Sequence, residues 1–502
     1  MLTLRADWSI IYYYCIKHTK DDNMNLQPND SAHRAKLARF WIWVLILSQP
    51  VLDAVSYWAA ELNMSSTLTL GVRMLILAVT VIIAFALSKR KRYYLLTAVI
   101  LAAFWAAHML ACRRVGYVSP ITDTTNFVRV AQLPVYTLAL ITLLRTAGDI
   151  PALIERALSA DLWIIAVISV LAVVTGTNNP TYPKWGIGIS GWFALPNSQS
   201  AIYGVLTLIT VLSAVREKKP VTAILRCAVG FALLFFLGTR LAFAEIFAIA
   251  LIVVTAMLIT KTADRRILCA VLVLSVACGA LFHQSPMYQN RVAFSQSADN
   301  QQEDADETVE QTPPPPVEYD WLPDAQESID MLYRQYQPLM INRFGLEPVK
   351  AAFGYTDDVS KLGDLRLCKI LFCRMAMDEL PVTSRLFGFE LATTLYEDGI
   401  FDVENDFHGM YFLYGIVGLT LIVAYLAVFA VRALWRMVRD PRRYLTLPVC
   451  AYSTASAILV INAYFSASVL RRPNASVYLS IALAVLWILT EKQNSSDGKE
   501  NA

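Results

Sequence analysis

About twelve apolar runs, each long enough to cross some 30 Å of hydrocarbon, constrain this chain more than any other feature. They lie near 39–58, 67–87, 93–112, 128–145, 159–176, 198–215, 220–237, 240–260, 266–283, 409–431, 444–466 and 473–490. Inside a bilayer a segment must satisfy its own backbone polar groups, so each run is read as a helix. Of the 502 residues, 56% are hydrophobic and 17% charged, whereas a soluble domain carries about 25% charged residues. The expected fold is all-α, a polytopic transmembrane helical bundle.

Lys and Arg set the orientation. Connection 59–66 has none and 177–197 only Lys184, whereas the alternate connections carry Lys89–Arg92, Arg216 with Lys218 and Lys219, Lys261 with Arg265 and Arg266, and Arg432 to Arg443. Cation-rich connections stay cytoplasmic, which puts both termini inside and the long polar insertion 284–408 outside. Arg113–Arg114 and Arg471–Arg472 run against the pattern, either as tolerated exceptions or as a positive outer rim for a phosphate-bearing ligand.

The division expected is an N-terminal cytoplasmic segment (1–38), a first bundle of about nine spans (39–283), the outer loop (284–408), a second bundle of about three spans (409–490) and a tail (491–502). Residues 1–38 do not read as a secretory signal, because WSIIYYYC is too short and no small-residue cleavage site follows; Met24 is an alternative start. Residues 295–318, acidic and Gln-rich with Pro313–Pro316, read as an extended tether. From Trp321 to Leu391 helical spacing returns, with Ile329, Leu332, Tyr333, Tyr336 and Leu339 on one face and Leu367, Ile370, Leu371, Met375 and Leu380 on another. This is a mostly helical cap. Cys368 and Cys373 fall within it, but an i,i+5 spacing on a helix turns the thiols apart.

Few residues can carry chemistry. Asp53 and Arg73 sit in the first two runs and are read as an ion pair; Asp161, Arg226 and Glu245 are the other in-membrane charges counted. His108 reads as a hydrogen-bonded packing residue, and no ligand spacing points to a metal. Arg240 follows a tight turn at Leu237-Gly238-Thr239, where a guanidinium fork suits phosphate oxygens or snorkels to headgroups. Asp402, Glu404, Asp406 and His408 crowd the start of the run that ends the insertion, either as a functional site or as an acidic cap on the helix.

Several stretches taken together resemble the O-antigen ligase/polymerase superfamily, membrane glycosyltransferases of the GT-C type. They are GWFALPNSQSA (191–201), FLGTRLAF (236–243), LFGFE (386–390) and ENDFHGMYFLYGIVGL (404–419), while QPVLD and LGVR near the start resemble the branch common in single-membrane bacteria. The resemblance implies an inverting, metal-independent transfer or polymerisation of glycan from an undecaprenyl diphosphate-linked donor, on the outer face of the cytoplasmic membrane. It implies a glycan or other surface acceptor, no cofactor and no nucleic acid. The family's turn arginine falls on Arg240, its loop arginine on Arg366 and its catalytic histidine on Glu404, with Asn197, Asp406 and His408 completing the substrate-binding set. Two departures stand out: the family's His-Asn is Glu404–Asn405 here, and its G-x-G is Gly388-Phe389-Glu390. As a base, Glu404 is expected to have its pKa raised by desolvation, and by Asp402 and Asp406 if they are close. Two other classes remain open, a lipid-linked glycan transporter and a non-catalytic subunit of a glycan-assembly complex.

Overall fold

Each apolar run folds as a helix. The structure, a computed structural model, describes residues 28–64, 67–296, 325–466 and 469–491. The expected tether lies outside these residues apart from its first two positions, as do Met24 and all but the first residue of the tail. In chain order the bundle is built from α1 (Pro28–Glu61), α2 (Thr67–Leu87), α3 (Lys91–Val115), α4 (Pro120–Ala147), α5 (Ile150–Val174), α6 (Pro196–Arg216), α7 (Pro220–Leu237), α8 (Arg240–Ile259) and α9 (Arg265–Ala280). A helix over 286–296, α10, leads away from it. The cap comprises α11 (Ala325–Tyr336), α12 (Pro338–Phe344), α13 (Leu346–Ala352), α14 (Leu365–Glu379) and α15 (Val382–Phe387); α16 (Asp406–Arg439), α17 (Leu447–Phe465) and α18 (Pro473–Leu489) close the bundle.

Ten of the described helices are long and apolar enough to cross a membrane. The runs near 266–283 and 473–490 give shorter helices, α9 and α18, of 16 and 17 residues, at the lower edge of the roughly 17–25 that cross a bilayer. The reason is clear for α18. Arg471 and Leu470 just before it are buried, and every residue from Asn474 to Leu486 is buried too. The helix therefore starts below the surface and packs as core.

α6 is the second core helix, buried from Ser198 to Val215. A helix apolar all round belongs in the interior, and here small residues let its neighbours close in. A Cβ on Gly204 would lie 2.6 Å from the Glu245 carboxylate of α8, and one on Gly230 of α7 would lie 2.0 Å from the Thr207 hydroxyl. Thr207 and Thr210 donate to the carbonyls of Tyr203 and Leu206, so their hydroxyls are satisfied inside the helix.

The two ends of the bundle differ in chemistry. At one end Arg39 donates to the Ala147 carbonyl, Arg145 pairs with Glu491 at 2.7 Å, and Arg216 with Glu155 at 2.5 Å. At the other, the connections interlock: Ile189 N–H donates to Phe236 O, Tyr182 OH to Gly238 O, and the Val118 and Ser119 N–H groups to the Glu390 carboxylate. The cap belongs to this loop-bearing end. The apolar faces expected in it are the ones that pack, with Tyr333 and Leu371 buried and the others half-buried against the core, except Tyr336, which is left exposed; Met340 and Phe372, on neither expected face, are fully buried beside them. A short hairpin, Leu395–Tyr396 paired with Gly399–Ile400, interrupts the expected all-helical pattern. Cys368 and Cys373 are both buried free thiols, bonded to Gln337 Oε1 and Phe401 O.

Candidate active site

Glu404 lies one residue before the N-cap of α16. That cap is Asn405, whose side-chain oxygen accepts from the Phe407 and His408 N–H groups and whose amide donates to the Tyr464 carbonyl at the end of α17. Across from it, α14 begins at Asp364, which caps the Arg366 and Leu367 N–H groups. The two caps bring Glu404 against α14, where Lys369 Nζ donates to it at 2.7 Å and Arg366 Nε at 3.3 Å. The Glu404 side chain remains 40% exposed. Burial pushes its pKa up, but Lys369 and Arg366 outweigh that and hold the carboxyl below its ordinary value. This corrects the expected rise. Arg366 is likewise a partner of Glu404, not a free cation.

Asp402 and Asp406 do not crowd Glu404, because both are bound to Arg471. Arg471 donates to Asp402 at 2.6 Å, to Asp406 at 3.4 Å and to the Val403 carbonyl. Asp406 also accepts from the Val469 and Leu470 N–H groups at 2.9 and 2.7 Å and is 0% exposed. Expected among the substrate-binding residues, Asp406 is instead a buried anchor joining α16 to the connection before α18. Gly409 makes room for it, since a Cβ there would sit 2.6 Å from the Arg471 guanidinium carbon.

Arg240, Asn197 and His408 are exposed, with no side-chain partner among the described residues. Arg240 opens α8 after the N-cap Thr239. Gly238 precedes them with φ 66°, and a Cβ there would lie 2.5 Å from Pro286. Burial raises the pKa of the neighbouring Tyr182 hydroxyl, and the Arg240 charge opposes it. Asn197 opens α6, which packs against both α8 and α17. Below these openings Asn462 of α17 donates to Glu245 of α8 at 2.5 Å, and Ser200 of α6 donates to Asn462. Arg240 and Asn197 thus stand at the loop-bearing ends of two packed helices, α8 and α6, and Asn405 is tied through the Tyr464 carbonyl to the same end of α17, which packs on both; no bond joins Arg240 to Glu404.

A family model described as O-antigen ligase like membrane protein matches residues 35–493. The chain belongs to that family. No curated protein matches it closely enough to count as a relative.

Within this O-antigen ligase-like chain, the second departure acquires a structural role. Glu390 accepts from Val118 and Ser119 at 2.7 and 2.8 Å and so ties the cap to the α3–α4 connection. Beside it, buried His108 meets the Phe387 carbonyl at 2.6 Å and Asp123 at 2.8 Å, and Asp123 also accepts from Tyr117 OH and Leu391 N–H. His108, Cys112 and Asp123 bring possible metal ligands within 4.8 Å of one another. Their hydrogen bonds account for the arrangement as a polar network, the packing role expected of His108. Asp53 likewise holds Arg73 at 2.5 Å and accepts from Gln199 and Asn474.

In the sequence Arg471 shows as an exception to the charge pattern, but its partners, which lie 65 and 69 residues away, do not. Arg129 is missing from the in-membrane charges counted above, although an arginine inside an apolar run is itself a signal. Its Nε is buried with no partner, and it makes no ion pair among the described residues.

Proposed function

We propose that this O-antigen ligase-like protein transfers or polymerises glycan from an undecaprenyl diphosphate-linked donor in cell-surface polysaccharide assembly. The loop-bearing end, in this reading, faces outward from the cytoplasmic membrane, as the cations at the opposite end suggest. The observation that carries the proposal is Glu404, a half-exposed carboxylate held ionised by Lys369 and Arg366 at that end. An acceptor hydroxyl attacks the anomeric carbon and loses its proton to Glu404, while the bond from that carbon to the diphosphate oxygen breaks. Attack opposite the leaving group inverts the centre. Arg240, exposed and unpaired, stabilises the charge that develops on the departing diphosphate. The lowered pKa makes Glu404 a weaker base than a desolvated carboxylate but keeps it deprotonated across the neutral range.

The test is glycan transfer in reconstituted vesicles supplied with lipid diphosphate-linked oligosaccharide. Glu404→Gln and Arg240→Ala, both inserted and folded, should each lose transfer by at least about a hundredfold, the usual size of a general-base or charge-stabilising contribution. Undiminished transfer by Glu404→Gln would move the base to His408. Movement of donor across the bilayer without any transfer would favour a transporter instead.

A further inference from the structure

The polar network around His108 contains one contact that needs a positive charge. The Phe387 carbonyl can only accept, so Nδ1 of His108 carries the hydrogen in their 2.6 Å contact. The other ring nitrogen, Nε2, stands 2.8 Å from Asp123 Oδ2. That oxygen already accepts from Tyr117 OH at 2.7 Å, and a carboxylate has only lone pairs to offer. A neutral imidazole would set lone pair against lone pair, so a proton or a cation has to lie between them. Cys112 Sγ approaches the same nitrogen, at 3.5 Å. A proton on Nε2 serves the carboxylate and leaves the sulfur aside. A metal ion among the three serves all of them.

The geometry is that of a ligand set and not of an activated nucleophile. A catalytic thiol and its orienting acid occupy opposite nitrogens of the ring, whereas here sulfur and carboxylate converge on one. His108 and Cys112 stand one turn apart on α3, and Asp123 lies in the first turn of α4. The three ligand atoms fall within 4.8 Å of one another, and each residue is at most 1% exposed. From its bond lengths, a tetrahedral zinc ion keeps nitrogen and sulfur ligands about 3.6 Å apart and nitrogen and oxygen about 3.3 Å. The sulfur is thus at its distance, and the Asp123 oxygen has only to withdraw by about half an ångström. The bond from Nδ1 to a backbone carbonyl is the outer-sphere contact that orients a metal-binding histidine.

We infer that His108 Nε2, Cys112 Sγ and Asp123 Oδ2 bind one divalent transition-metal ion of the zinc class, which clamps α3 to α4 beneath the cap. Imidazole and thiolate together select zinc over magnesium or calcium, which take oxygen. Binding releases two protons, the one shared by His108 and Asp123 and that of the Cys112 thiol, which a coordinating metal removes. Two positive charges leave and two enter, so the buried cluster stays neutral and its burial carries no added charge penalty. The Tyr117 hydroxyl, already on the Asp123 oxygen, offers a fourth donor. The outer bonds of the cluster run to the cap, at the Phe387 carbonyl and the Leu391 N–H. The ion therefore holds the surface on which the cap sits. This role is structural and independent of Glu404.

Metal content of the full chain in nanodiscs tests the inference. The protein is made in zinc-supplemented cells without a polyhistidine tag, then washed with a chelator to strip surface ions before mass spectrometry. Wild type should retain about one zinc per chain. Cys112→Ala and Asp123→Asn should retain less by about tenfold or more, since even an outer-sphere partner carries roughly tenfold to hundredfold of metal affinity. Cobalt supplied in place of zinc should give wild type a thiolate-to-metal absorption band that Cys112→Ala lacks. If a variant does not fold, the zinc content and cobalt band of wild type decide alone. Wild type without stoichiometric zinc, or a cobalt form without the thiolate band, overturns the inference. So does a folded Cys112→Ala that keeps the wild-type zinc, which would be an adventitious ion only.

Discussion

Burial is the largest single influence on the protonation of Glu404 and pushes its pKa up, but Lys369 and Arg366 together outweigh it. The 2.7 Å contact with Lys369 is the shorter of the two that keep the carboxyl below its ordinary value. A reaction that needs the carboxylate is lost only as pH falls through that lowered pKa. The acid limb of kcat/KM should therefore lie below the ordinary glutamate value of about 4.3. Lys369→Ala removes the principal opposing charge, so the limb should move to higher pH; an unmoved limb would mean that Glu404 is not the titrating base. Arg471 belongs to a different class. Replacing it with Ala strands the carboxylates of Asp402 and Asp406, one of them fully buried, and should destabilise the protein by about 3–5 kcal/mol in chemical denaturation. Sequence could nominate Glu404 and Arg366 from a motif and its spacing. It could not reveal that they bind each other, since side-chain pairing across 38 residues leaves no local pattern.

At the scale of elements, α16 is two helices joined at Gly415, whose φ of 66° and ψ of −175° are not helical. The break admits the end of α15. A Cβ on Gly415 would lie 2.3 Å from the Leu386 backbone, and one on Gly388 would lie 2.2 Å from the Leu413 carbonyl. Phe389 N–H donates to the Phe412 carbonyl, one of the acceptors that the break releases. Gly415→Ala combines a forbidden backbone region with a main-chain clash and should cost more than about 1–3 kcal/mol. Gly116→Ala is the control, since Gly116 also has positive φ, at 94°, but nothing lies within 4 Å of its Cβ position. Equal thermal losses in the two variants would show that backbone strain, not the close approach, decides. The apolar run was legible here because it is long. The break was not, because a G-x-x-G pair inside such a run is equally at home in an unbroken helix packed closely on a neighbour. The hairpin at 395–400 was too short to announce itself.

At the scale of the whole molecule, the charge alternation that suggested an orientation reappears as two chemically distinct ends. Single cysteines offer the test. Substituted at Lys184 or Glu397, on the loop-bearing end, they should react with an impermeant thiol reagent in intact cells. At Lys218 or Arg439 they should react only after permeabilisation, and the reverse pattern would invert the molecule. The helices were readable because hydrocarbon thickness imposes a length on each run; that α18 is wrapped by protein was not readable, because a helix wrapped by protein is as apolar as one wrapped by lipid. The cap is tied to the bundle by Glu390, by His108 and by the backbone meeting at Gly388 and Gly415. So many fastenings along one side make a fixed awning, not a door. Whatever reaches Glu404 comes in under a standing eave, and on the proposed function donor and acceptor would meet there without the cap swinging aside.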